Sequence, residues 1–168
     1  HCRTGLSMEL LKSSLFSLFF VCVSVSAFAQ NANDSIAGRK LYITGDSLMI
    51  ASKHEESIKF FRKAATLFKK AEMHKRYLNS LNKICENFRR SGKLDESLQV
   101  AEQSLTEAIE LVGDNTLEVA SAYTSIGIIY DFRSNYKQAL YYYHKSLVIR
   151  VNILGVDHPD VAVSYNNL

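Results

Sequence analysis

Apolar residues recur along this chain every three or four positions, in blocks separated by short polar breaks. Leu41, Leu48, Ile58, Phe61, Ala64, Ala65 and Phe68 fall at such spacings, which place them on one face of amphipathic helices. The blocks come in pairs. The first pair is broken near Ala51-Ser52-Lys53, the second at Ser91-Gly92-Lys93 and the third at Arg133-Ser134-Asn135. At the second break a glycine supplies the left-handed conformation that ends a helix without strain, and Asn135 is expected to take the corresponding place in the third. Between pairs lie Lys70-Ala71-Glu72, Gly113-Asp114-Asn115 and Gly155-Val156-Asp157-His158-Pro159. Pro159 suits the first turn of a new helix, where its missing N–H costs nothing. Strand-like alternation never survives more than a few residues, so the chain is read as all-α.

The helical blocks repeat as well as alternate. Leu111-Val112-Gly113 with Glu118-Val119-Ala120 returns, at one fixed offset, as Ile153-Leu154-Gly155 with Asp160-Val161-Ala162. Self-similarity at this period marks a solenoid, in which each unit is too small to bury its own apolar face and must stack on its neighbours. Such arrays bind other chains on an extended surface.

The third unit carries a pattern that can be compared with a family. Tyr123, Ile126, Gly127 and Tyr130 lie on its first helix, and Ala139, Tyr143 and Ser146 on its second. This resembles a tetratricopeptide repeat. Matching positions in the second unit are Leu81, Ile84, Cys85, Phe88, Ser97, Ala101 and Ser104, and in the first Leu41, Thr44, Gly45, Leu48, Ser57, Phe61 and Ala64. Ser57, Ser97 and Ala139 are equivalent, which sets a long period of roughly 40 residues. The extra length is assigned to the second helix and the inter-repeat loop. With Leu154 to Ala162 and Tyr165-Asn166-Asn167-Leu168, the array is similar to the long repeats of kinesin light chains. The resemblance implies a right-handed superhelical solenoid of antiparallel helix pairs. Its repeats would span about 37–74, 75–115 and 116–158, with a partial fourth at 159–168. It also implies that Gly45, Ser57, Cys85, Ser97, Tyr123, Gly127, Tyr130, Ala139 and Tyr143 pack the repeats together. Gly127 and Ala139 would be small because the two helices cross closely there. In the run Tyr141-Tyr142-Tyr143, successive side chains point about 100° apart, so Tyr143 is expected inside, Tyr142 exposed and Tyr141 towards the next unit.

The two ends carry further expectations. Residues 1–7 precede Met8 and are read as upstream sequence. Met8 and Lys12, the apolar run Leu15–Phe28, and Ala27-Phe28-Ala29 before Gln30 form a signal peptide over 8–29. The run is shorter than the ~18–20 residues that span a bilayer. Export is therefore expected, to periplasm, envelope or medium, with no membrane span in the mature chain; a signal-anchor helix is the alternative. Residues 30–36 are a polar leader. At Leu168 the chain stands inside what would be the first helix of a fourth unit, so further repeats or an effector domain are expected downstream. Similar arrays front caspase-like peptidases, sensor kinases and transcription regulators; a structural spacer is the remaining reading.

Composition narrows the chemistry. A net charge of +3 does not imply nucleic acid. Its distribution is uneven, with twelve Lys/Arg against four Asp/Glu from Lys53 to Lys93 and four against ten from Leu94 to Leu168; solvated helix faces of differing sign account for this. Beyond the signal, Cys85 is the sole cysteine, so no internal disulfide forms and Cys85 acts as a small hydrophobe. His54-Glu55-Glu56-Ser57-Ile58 begins like a zinc-protease helix, but Ile58 stands where the second histidine belongs. No metal, cofactor or catalytic set is expected. The first helices of the repeats would form the inner surface, where this family holds extended peptides. By position its candidates are Tyr42, Asp46, Asn79, Asn82, Lys83, Glu86, Arg89, Ser121, Thr124, Ser125, Ile128, Asp131 and Asn166. Asparagine amides both donate and accept, as a peptide backbone requires. The family's lysine and asparagine clamp for a terminal carboxylate is not reproduced, since Glu86, Ser121 and Ser125 occupy three of its positions.

Overall fold

A computed structural model describes residues 29–168, which are helical with no strand among them. Helix α1 runs over 29–50. It is followed by α2 (His54–Lys70), α3 (His74–Arg90), α4 (Leu94–Val112), α5 (Leu117–Phe132), α6 (Tyr136–Leu154) and α7 (Pro159–Asn166). The sequence expectations for residues 1–7 and for the signal segment up to Phe28 lie outside the described residues. Consecutive helices pack against one another, and α3 also touches α5. The odd helices thus form an inner layer and the even ones an outer layer, with one continuous core running from Ile58 to Ile129 between them.

The turns keep time. Every described residue with a left-handed φ belongs to one series: Ser52, Glu72, Gly92, Gly113, Ser134 and Gly155. Their intervals are nearly equal, each half of one repeat. Four of these turns share one hydrogen-bond pattern. The N–H groups of Lys53, Met73, Lys93 and Asn135 donate to the carbonyls of Leu48, Phe68, Phe88 and Tyr130 at 2.8–2.9 Å. Ser52, Glu72, Gly92 and Ser134 close the inner bond to the carbonyls of Met49, Lys69, Arg89 and Asp131. This pair of hydrogen bonds satisfies carbonyls that the helix end would leave orphaned, and it requires one left-handed residue. In the third unit that residue is Ser134, not Asn135. Asn135 instead caps α6, its side chain accepting from the Gln138 N–H at 3.3 Å, because a short polar side chain serves better as an acceptor at a helix start. The turns at Gly113 and Gly155 are longer and lead to capping residues Thr116 and His158.

The extra repeat length is placed unevenly. Helices α4 and α6 have 19 residues each, whereas α2 has 17 and is joined to α3 by a tight turn. Residues 30–36 also depart from the polar leader expected of them, since they are part of α1. Their polarity serves contacts instead: Gln30 donates to Asp34 at 2.9 Å, and Asp34 pairs with Lys70 at 2.9 Å. Gly38, one turn on, lies against the ring of Phe68, so the helix must already be formed there to complete the first repeat.

Ion pairs reinforce the stacking and follow the repeat. Glu55 pairs with Lys93, and Asp95 with Arg133, each linking the start of an outer helix to the next unit's turn. Deeper in the outer layer, Glu107 accepts from Lys69 at 2.7 Å and from the Tyr77 hydroxyl at 2.7 Å. Burial opposes the charge on Glu107, but the bonds from Lys69, Gln103 and Tyr77 outweigh it and hold the carboxyl below its ordinary range. Lys69 is raised by the same contact. A lowered carboxyl stabilises the fold above its unfolded pKa, about 4.3, and loses that contribution as pH falls through the folded value. A raised lysine contributes below about 10.4 and loses it as pH rises through its folded value. Glu107→Gln should therefore flatten the melting-temperature profile at both its acidic and its alkaline ends. A profile of unchanged shape would rule this pairing out as a source of stability.

Candidate functional site

Glycine and serine positions decide how closely the inner and outer helices approach, and hence how the inner surface is shaped. A Cβ added at Gly127 would lie 2.6 Å from the Tyr143 ring and 3.3 Å from the Ala139 carbonyl. Gly45 faces Phe61 in the same way, at 3.0 Å. Glycine and ring are equally spaced in both units, and the second unit places Cys85 and Ala101 at the same two positions. Where the inner helix carries glycine, the outer helix supplies a ring; where it carries cysteine, the outer helix shrinks to alanine. The serines that replace the family's alanine are satisfied by the same close crossing. Ser57 Oγ donates to the Gly45 carbonyl and Ser97 Oγ to the Cys85 carbonyl, both at 2.8 Å and both buried. Ala139 is buried beside Gly127 and needs no such bond.

Tyr142 departs from its expected exposure. It is half-buried, its ring stacked on Tyr130 at 5.7 Å between centroids and tilted against Tyr123 at 6.1 Å. Tyr130 and Tyr123 thus pack the gap between α4 and α6 through Tyr142, while Tyr141 is exposed and Tyr143 is buried. One polar core contact has little warning in the sequence. Asn87, fully buried, donates to the Lys83 carbonyl at 2.8 Å and meets His54 Nδ1 at 3.0 Å. His54 is therefore a half-buried tie between the first and second units. Its sole sequence signal is an asparagine among the buried positions of α3, which also include Ser80.

On the inner surface, α1, α3 and α5 bring together ten of the thirteen candidate positions. Tyr42, Asn79, Asn82, Lys83, Glu86, Arg89, Ser121, Thr124, Ser125 and Ile128 line one concavity of about 350 Å³. Asp46 stands at its edge, pairing with Lys83 at 3.2 Å. Asp131 and Asn166 are exposed and lie outside it, the first at the C-terminal end of α5 and the second at the last residue of the short α7. Two lining residues are missing from the sequence candidates: Cys85 and Arg150. Cys85, expected in the core alone, is buried yet reaches the floor, and burial pushes its thiol upward from the ordinary range. Arg150 belongs to the outer helix α6, so a rule that reserves the groove for inner helices omits it. Its long side chain crosses to α7, donating to Ser164 Oγ at 2.8 Å.

The charges of the groove are unevenly matched. Lys83 is held by Asp46 and lies 4.0 Å from Glu86, which also pairs with Arg90 at 2.7 Å. Arg89 lies over the Phe132 ring at 5.0 Å. Arg150 has no carboxylate within ion-pair distance among the described residues; burial works against its charge, and Asp160 favours it from beyond that distance. Tyr42, half-buried and near Asp46, has its hydroxyl pushed up to about 12, so it is a hydrogen-bonding group at neutral pH. Among the described residues there is no cluster of three metal-ligating side chains, and no helix is long and apolar enough to cross a membrane.

Comparison with known proteins gives consistent relationships. Residues 76–147 match the family model described as tetratricopeptide repeat. A curated Arabidopsis thaliana protein, kinesin light chain-related 1, is 28% identical over 130 residues, covering 76% of this chain and 21% of its own length. The chain thus spans about a fifth of the curated relative it matches. The crystal structure of the tetratricopeptide domain of Arabidopsis FLU superposes with a TM-score of 0.60 at 16% identity, over 68% of this chain and 95% of that one. A Podosopora anserina kinesin-light-chain-type protein with nearly identical TPR-like repeats gives 0.62 at 14% identity, over 75% and 61%. The expected fold class agrees with these neighbours.

Proposed function

Because this chain is a tetratricopeptide-repeat protein of the kinesin-light-chain-like kind, we propose that it is a non-catalytic scaffold that holds an extended peptide segment of another protein in its inner groove. The observation that carries this reading is the convergence of Tyr42, Asn79, Asn82, Arg89, Thr124 and Ile128 from three helices on one concavity. Asn82 accepts from Ser104 at 3.4 Å through its carbonyl, which leaves its amide hydrogens for a backbone oxygen of the ligand. Exposed Asn79 offers both polarities. Arg150 is the place for an acidic side chain, because a half-buried guanidinium without a carboxylate gains most from acquiring one. The signal segment at 8–29 supports an exported protein, and mass measurement of the mature N-terminus would test that separately.

A random peptide library displayed on phage and panned on the protein tests the groove. Enriched peptides should contain an acidic residue, lose binding by about tenfold to Arg150→Ala, as expected for a lost hydrogen bond to a charged group, and by a smaller factor to Asn82→Ala, which removes a neutral one. Peptides that bind both variants as tightly as the parent would place recognition elsewhere and sink the reading.

A further inference from the structure

On the opposite side of the solenoid, the outer helices α2 and α4 flank a cleft of about 620 Å³ whose floor is the outer face of α3. Its base is Ala65, Leu81, Ile84 and Val100, and its rim carries Arg62, Lys69 and Lys70. The next inter-repeat gap, between α4 and α6, shows why this one is open. There Tyr142 takes up part of the space by stacking on Tyr130 and packing against Tyr123. With Gly127 aligned on Cys85, the counterpart of Tyr142 in the preceding unit is Val100, and those of Tyr130 and Tyr123 are Phe88 and Leu81. One valine in place of a tyrosine leaves an apolar hollow of about 620 Å³, where the following joint keeps a narrower cleft of about 420 Å³ lined by Tyr123, Tyr141 and Lys145.

The volume falls in the ~300–1,000 Å³ range of sites for small organic molecules. The charge around it selects the ligand. Lys69 is answered by Glu107 and Lys70 by Asp34, but Arg62 meets no carboxylate within ion-pair distance among the described residues and lies 5.9 Å over the Phe88 ring. We propose that this outer cleft is a binding site for a small amphipathic anion, an aliphatic or aromatic carboxylic acid, with its apolar body on Leu81 and Val100, above the buried Ile84, and its carboxylate at Arg62. The site is independent of the peptide groove, which lies on the other face of α3.

Dodecanoate titrated into the full chain below its micellar concentration, followed by calorimetry and by methyl NMR of Leu81, Ile84 and Val100, is the test. Binding should shift those methyl signals. Val100→Tyr, which copies the neighbouring unit, should weaken dodecanoate by at least roughly tenfold through lost apolar contact, with circular dichroism and melting unchanged. Arg62→Glu, an exposed change that leaves the core intact, should weaken dodecanoate and leave dodecanol unaffected. Equal binding to Val100→Tyr, equal affinity for dodecanol and dodecanoate in the parent protein, or methyl shifts confined to other residues would each overturn the proposal. Should Val100→Tyr fail to fold, Arg62→Glu decides alone: dodecanoate bound as tightly as by the parent ends it. Peptide binding in the groove should survive both variants, so failure here leaves that reading standing.

Discussion

Gly127→Leu should destabilise the protein by about 3 kcal/mol, at the top of the range for overpacking a tight core. A first side-chain carbon at this site already stands 2.6 Å from the Tyr143 ring and 3.3 Å from the Ala139 backbone oxygen. The ring is buried and the oxygen belongs to helix α6, so relief requires the two helices of the third repeat to part. A sharper form of the prediction uses the second unit as a template. Tyr143→Ala alone removes a buried ring and should cost ~3–5 kcal/mol. Gly127→Cys alone meets the same ring and is also costly. Combined, they reproduce the Cys85 and Ala101 pair, and the double variant should be more stable than the sum of the singles by ~0.5–3 kcal/mol. Denaturant melts of the four proteins measure this coupling. Additive losses would mean that the two positions do not share one space.

Phe68→Ala should cost ~3–5 kcal/mol, the usual penalty for deleting a fully buried aromatic side chain. Phe68 is wholly buried, rests on Gly38 of α1, and lies 6.4 Å from the Tyr42 ring. Little nearby can refill the space, because Gly38 has no side chain and Ala64 only a methyl group. In a stacked array the loss stays local: the first repeat should open while its neighbours hold. Hydrogen exchange is the discriminating measurement. Amides of α1 and α2 should lose protection well before those of α5 and α6. A uniform loss along the chain would show that the array unfolds as one unit.

Helical periodicity, the paired blocks and the echo between successive units are all legible in the sequence, because a solenoid's contacts lie close along the chain. Which positions of α3 and α5 share a face is legible for the same reason, and the family resemblance marked that face as the inner one. The left-handed turn residues are only partly so. Gly92 announces itself, but Ser52, Glu72 and Ser134 take the same conformation with no compositional sign, forced into it by the hydrogen bonds that close each turn.

What the sequence determined by itself was periodicity and helix pairing, set by local spacing, together with the small-residue crossings that its resemblance to tetratricopeptide repeats implied. The tertiary structure decided whatever depends on two helices meeting from different units. It joined residues 30–36 to α1 through Asp34 and Lys70, buried Tyr142 between Tyr123 and Tyr130, and carried Arg150 from an outer helix into the inner groove. Side-chain length and the packing angle of neighbouring helices fix such meetings, and neither is written in the spacing of residues along one helix.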